Sequence, residues 1–146
     1  MKSGPGKDNH PPEGFSSARS LAEEFARDKS KTGHLLDDAI SKAERNRTVL
    51  DNIWEDLQAL FRLIRAWRKG AYAQTPWQTI IFAIAGIIYF VNPFDIVPDF
   101  LPGAGYLDDA TVVGFVLKSI KHDIAHFLSW ETMQKDEEDS ANQLGD

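Results

Sequence analysis

The sequence predicts an all-α fold, on three observations. Apolar residues recur at three- and four-residue spacing over most of residues 34–69. A stretch at 76–91 is apolar nearly all round and carries no charge. A second amphipathic pattern follows a loop dense in proline, glycine and aspartate. Spacing near 3.6 residues is the signature of a helix that hides one face, and a segment apolar on every face must be enclosed by protein or lipid. The expected architecture is a helical hairpin, made of the apolar helix, the Pro/Asp loop and an amphipathic helix. It packs against a long amphipathic N-terminal helix.

Four regions follow. Residues 1–17 are glycine, proline and polar residues, too poor in apolar side chains to offset the entropy of ordering, and are expected to be a disordered arm. They lack the apolar core of a secretory signal, so a cytoplasmic location or the cytoplasmic face of a membrane is expected. Region 18–69 is amphipathic and helical. Ser17 or Ser20 is placed to cap a short helix through Leu21, Ala22, Phe25 and Ala26, which Thr32-Gly33 is expected to interrupt. One long helix then runs from about His34 to Lys69, with Leu36, Ile40, Ala43, Leu50, Trp54, Leu57, Phe61 and Ile64 on one face. Ile53, Leu60 and Trp67 widen that stripe. Arg47 interrupts the seam, where a bend or exposure is expected. The repeat lasts several heptads, so self-association as a coiled coil is the alternative to packing on a core.

Region 70–130 holds the hairpin. Gly70 suits a helix C-cap, Thr75 an N-cap and Pro76 the first turn of the next helix. The apolar helix, about Pro76 to Val91, spans roughly 24 Å at ~1.5 Å per residue, short of a ~30 Å hydrocarbon layer. A core helix or a re-entrant one therefore fits better than a full crossing. Prolines 93, 98 and 102 forbid one regular helix through the loop. A final helix is expected from about Asp108 to Trp130, with Val113, Val116, Leu117, Ile120, Ile124, Phe127 and Leu128 as its buried stripe. The remainder, 131–146, reads as an acidic disordered tail.

Composition removes several functions. There are no cysteines among the 146 residues, hence no disulfides, thiolate nucleophiles or zinc–cysteine sites. A formal charge of -6 argues against nucleic acid as a partner, since phosphate binding relies on basic surface. Ser119 has no nucleophile motif around it, and the loop glycines do not form a phosphate-cradling pattern. No catalytic constellation is found, and a non-catalytic protein is expected.

The chemistry-bearing residues lie in two places. The loop carries Asn92, Pro93, Asp95, Pro98, Asp99, Pro102, Gly105, Asp108 and Asp109. Asp95 and Asp99 stand near proline turns, where an aspartate accepts backbone N–H groups. Asp108 is placed to cap the final helix and Asp109 to sit in its first turn. The alternative is that Asp95, Asp99, Asp108 and Asp109 hold a divalent cation such as Mg²⁺, Mn²⁺ or Ca²⁺, which take oxygen ligands. His122 and His126, four apart, are able to share a metal, but the residues between them do not make the metalloprotease pattern. The second place is the flank of the apolar helix, Arg62, Arg65, Arg68, Lys69 and Trp77. In an antiparallel hairpin the basic residues gather at the open end and the carboxylates at the tip. Positive charge beside an apolar segment fits anionic lipid headgroups.

The loop resembles that of the YkvA-like proteins, whose pattern reads aromatic-x-x-Ser/Asn-Pro-x-Asp-x-x-Pro-Asp-x-x-Pro, a short gap, then Gly-x-x-Asp-Asp. Here the same elements are Tyr89, Asn92-Pro93, Asp95, Pro98-Asp99, Pro102, Gly105 and Asp108-Asp109. Gly103-Ala104 departs from the aliphatic pair more common in the family. The resemblance covers about Trp77 to Phe127. It implies a small bacterial domain of no assigned activity, whose apolar helices are commonly read as membrane-associated, and it carries over no catalytic mechanism. Together these readings give a membrane-associated helical protein with membrane lipid or a membrane protein as partner. The alternative is a cytoplasmic interaction module that oligomerises through its long helix.

Overall fold

The computed structural model describes residues 15–91 and 109–144 of the chain, and the side chains of 20–91 and 113–143. The described residues form helices joined by short turns, with no strand among them. They are α1 (Phe15–Ala26), α2 (Lys29–Arg45), α3 (Trp54–Arg68), α4 (Trp77–Val91), α5 (Asp109–Ser119) and α6 (Lys121–Leu144), with a 3₁₀ turn, Asp51–Ile53, leading into α3.

The first helix ends earlier than Thr32-Gly33 suggested, because Asp28 begins another. Its carboxylate accepts from Ser30 N at 3.0 Å and Lys31 N at 3.1 Å, satisfying two of the N–H groups a helix start leaves open. Thr32 lies inside α2 rather than breaking a helix. Its buried hydroxyl donates to the Phe25 carbonyl at 2.7 Å, tying the end of α1 to α2.

The long helix expected over 34–69 is two helices. Asn46 ends α2, its amide donating to Lys42 O at 2.8 Å, and residues 46–50 turn. Arg47 marks that turn, its guanidinium 4.5 Å from the centre of the Trp54 ring. Between Ala43 and Leu50 nothing apolar is buried, and Val49 is largely exposed. The chain therefore folds back at no loss of burial. The seven-residue step from Ala43 to Leu50 imitates a heptad but spans a reversal. The seam offered to a coiled coil is spent inside the chain, where Leu36, Ala43, Leu57, Leu60, Phe61 and Ile64 are all buried.

Gly70 closes α3 with φ of 80°, a left-handed conformation that costs glycine little, and Ala71 N bonds back to Ala66 O at 2.9 Å. Thr75 is buried, yet its hydroxyl makes no cap bond; the N–H groups of Thr79 and Ile80 bond to Pro76 O instead. From Ile80 to Phe90 every α4 side chain except Phe82 is buried. The lining of α4 is protein: α1 lies along it most extensively, α5 and α2 cover other faces, and α3 touches it too.

Helix α5 packs on α4, with Phe82 beside Phe115 (ring centres 5.8 Å) and Gly86 against Val116. The last helix was expected to be one rod from 108 to 130, but the chain turns at Ile120. Helix α5 packs mainly on α4, while α6 packs on α3. Phe127 and Trp130 close on the buried Tyr72 with ring centres at 5.1 and 4.9 Å. Beyond Glu131, α6 continues as an exposed helix to Leu144, so the acidic run read as a disordered tail is helical over most of its length. Side chains from regions 18–69 and 70–130 share one core cluster.

Candidate functional site

Of the loop residues expected to carry function, Asn92, Pro93, Asp95, Pro98, Asp99, Pro102, Gly105 and Asp108 lie outside the described residues. Asp109 is the first residue of α5. The helices on either side of the loop are described. Lys42 Nζ, reaching from α2, donates to Phe90 O at 2.6 Å and sits 5.1 Å from the Phe90 ring. A cation on the last carbonyls of α4 complements the negative end of that helix.

The basic flank is described in full, and most of it gathers where α4 begins. Trp77, 42 % exposed, opens α4 at the rim of the bundle. Arg27, from the end of α1, stands 5.9 Å over its ring, and Trp67 meets it at 6.2 Å between centres. Arg68 donates its Nε–H to Lys29 O at 2.6 Å, bridging the end of α3 to the start of α2. Arg65, Arg68 and Lys69 line a cleft of about 180 Å³ between α2 and α3, together with Ser30, Gly33, His34, Leu36 and Asp37. Lys118 and Lys121 flank the α5–α6 turn at this same end, where Asp123 accepts from Thr79 Oγ1 at 2.7 Å.

Arg62 does not join them. Its Nε and Nη2 donate to the two carboxylate oxygens of Glu131 at 2.8 and 3.1 Å, and that hydrogen bonding raises its already high pKa. Lys31 is likewise engaged, 2.6 Å from Glu24, whose hydrogen bond raises the lysine pKa. Arg27, Lys29, Gly33 and Trp67 were not read as part of this surface. Only packing brings Arg27 and Trp67 beside Trp77, and Lys29 and Gly33 against Arg68.

The other candidates are quieter. His122 and His126 face each other with Nε2 atoms 3.1 Å apart on the exposed side of α6, a hydrogen bond that needs at least one neutral ring. Ser119 Oγ donates to Phe115 O at 2.9 Å, its own helix carbonyl, and no base stands beside it among the described residues. Among those residues no three of His, Asp and Glu converge in a way that would hold a metal ion. None of the described helices is long and apolar enough to cross a membrane.

Against known proteins, the chain is 32 % identical over 102 residues to the uncharacterized membrane protein YkvA of Bacillus subtilis (strain 168), covering 70 % of this chain and 96 % of that one. The chain belongs to the YkvA-like family. A family model described as a protein of unknown function, DUF1232, matches residues 79–115, which run from the first turn of α4 through the loop into α5. In this YkvA-like chain the matched segment is thus the hairpin itself, while Arg65, Arg68, Lys69 and Trp77 lie just before it. No solved structure matches the chain.

Proposed function

We propose that the protein is a non-catalytic, peripheral membrane-associated protein that docks on the cytoplasmic face of a membrane through the rim around Trp77. The observation that carries this reading is the juxtaposition of a half-exposed Trp77 with Arg27 and Trp67, while Arg65, Arg68 and Lys69 gather in the cleft at the end of α3. Tryptophan partitions to the headgroup region, where its apolar body and polar N–H are both accommodated. Basic side chains near an anionic surface contribute about 1 kcal/mol each, decaying within a Debye length. Several together give reversible, salt-sensitive attachment without insertion.

The membrane name of the Bacillus relative supports the reading. The burial of α4 from Ile80 to Phe90, Phe82 apart, favours peripheral attachment over insertion of that helix. The chain is negative overall, at -6, so attachment requires orientation: the exposed acidic end of α6 must face away from the bilayer. The loop then serves as a structural or recognition element.

Vesicle flotation tests this. With vesicles of phosphatidylcholine containing phosphatidylglycerol, the protein floats at low salt, is released by high salt, and stays behind with pure phosphatidylcholine. Trp77→Ala weakens flotation several-fold. Protein that remains in the aqueous phase with anionic vesicles at low salt overturns the proposal.

A further inference from the structure

The cleft between α2 and α3 is built in a way that surface attraction alone does not require. Arg68 is the second-last residue before Gly70 and its long side chain lies back across α2. Two contacts fix it there. Its Nε–H is spent on Lys29 O at 2.6 Å, and the guanidinium rests over Gly33, where a Cβ would stand 2.6 Å from Nη2. Gly33 is inside a helix, where glycine costs up to ~1 kcal/mol relative to alanine. The missing side chain is what gives the guanidinium its seat.

With Nε engaged, the Nη groups of Arg68 keep their remaining N–H donors for the cleft. Among the described residues no carboxylate lies within ion-pair distance of Arg68, Arg65 or Lys69. The acid lining the cleft is Asp37, one negative charge against three positive ones, with His34 and the Ser30 hydroxyl completing the polar wall. Asp28, near the start of α2, is committed to its cap. A half-open group of cations with two positive charges in excess attracts an anion. A fixed planar guanidinium loses little freedom on binding one, and its fork suits the paired oxygens of a phosphate.

We propose that this cleft is a phosphate-binding site, with Arg68 as the preorganised fork, Arg65 and Lys69 as the flanking cations, and Gly33 as the residue that positions Arg68. The ligand class is a phosphate monoester or diester. It is borne either by an anionic lipid headgroup, which rests on the membrane reading above, or by a free phosphate compound.

The test uses the full chain and two arms. In the first, inorganic phosphate and glycerol 3-phosphate are titrated at constant ionic strength against chloride, while amide resonances are followed by NMR. In the second, vesicles containing phosphatidic acid are compared with phosphatidylglycerol vesicles of matched surface charge. Each arm is repeated with Arg65→Gln/Lys69→Gln and with Arg45→Gln/Arg47→Gln, which removes the same charge at the opposite end. Gly33→Ala supplies a subtler variant, since it unseats the guanidinium of Arg68 without removing any charge.

Saturable shifts at Gly33, His34 and Arg65 with free phosphate, weakened at least tenfold by the cleft double variant but not by the control, establish the site with a soluble ligand. A preference for phosphatidic acid that disappears in the cleft variant establishes it with a lipid one. Gly33→Ala weakens either response at least threefold while the melting temperature holds. Vesicle binding that ignores headgroup at matched charge, with no saturable phosphate shift, overturns the cleft and leaves peripheral attachment standing. Loss of all vesicle binding beside an intact phosphate response overturns the attachment instead.

Discussion

The middle of α4 and the rim where it starts are built on opposite terms. From Ile80 to Phe90 the helix presents no charge and meets protein on its faces; at Trp77, three residues earlier, an aromatic ring stands half in water between the Arg27 guanidinium and the Trp67 ring. The interior is held by many weak contacts that depend on close fit. The rim is held by a few directional bonds that leave other donors free. A change in the first region should therefore be felt as lost stability, and a change in the second as altered binding.

The interior gives the largest expected effect. Ile84→Ala, at a fully buried position, lowers unfolding free energy by about 2–5 kcal/mol, read from urea denaturation. A change below ~1 kcal/mol would mean that α4 is not the packed centre. Next is Gly86→Ala. The new Cβ would stand 2.7 Å from a methyl of Val116 and 3.2 Å from its Cβ, so rotating the valine does not clear the contact. Overpacking of about 1–3 kcal/mol outweighs the up to ~1 kcal/mol gained in helix propensity, leaving a net loss of roughly 1 kcal/mol. Adding Val116→Ala reduces the clash, and a double-mutant cycle reads the coupling.

At the rim the two readouts should part company. Asp28→Ala removes the α2 cap and lowers stability by about 1 kcal/mol. The same change takes a negative charge from the basic end, so vesicle binding increases. Movement of both in one direction would break the distinction drawn here.

The smallest effect lies between the regions, at Tyr72. Burial, reinforced by the negative charge of Asp123, pushes its hydroxyl above the ordinary tyrosine value of 10.0. A folded-state pKa above the unfolded one means that the native state holds the proton more tightly. The associated stability is fully present below pH ~10 and is lost as pH rises through the folded-state value. Thermal melts between pH 9 and about 12 should show that decline, and Tyr72→Phe should flatten it.

Much of this was readable along the chain. The uncharged run of 76–91 has to be hidden whatever encloses it, and Gly70 marks a helix end because few other residues accept a φ of 80°. The resemblance in the loop was readable too, since spaced prolines and aspartates survive as a pattern without any knowledge of packing. The turn at Asn46 was not, because Ala43 and Leu50 keep heptad spacing across it. Nor was the turn at Ile120, where no glycine or proline interrupts the helical stripe. Of the candidate surface, Arg65, Arg68, Lys69 and Trp77 were visible as one cluster near the apolar helix. Gly33 read as a helix breaker, and Arg62 as a member of a surface from which Glu131 diverts it.

What the sequence by itself determined is the helical class, the need to bury α4, and the family hairpin, because periodicity, charge absence and motif spacing are local properties of the chain. Only the tertiary structure decided that protein encloses α4, that Arg27 stands beside Trp77, and that Lys29 and Gly33 seat Arg68. Those outcomes depend on which helices pack together, and the free energy that selects among such arrangements comes from contacts between residues far apart in sequence.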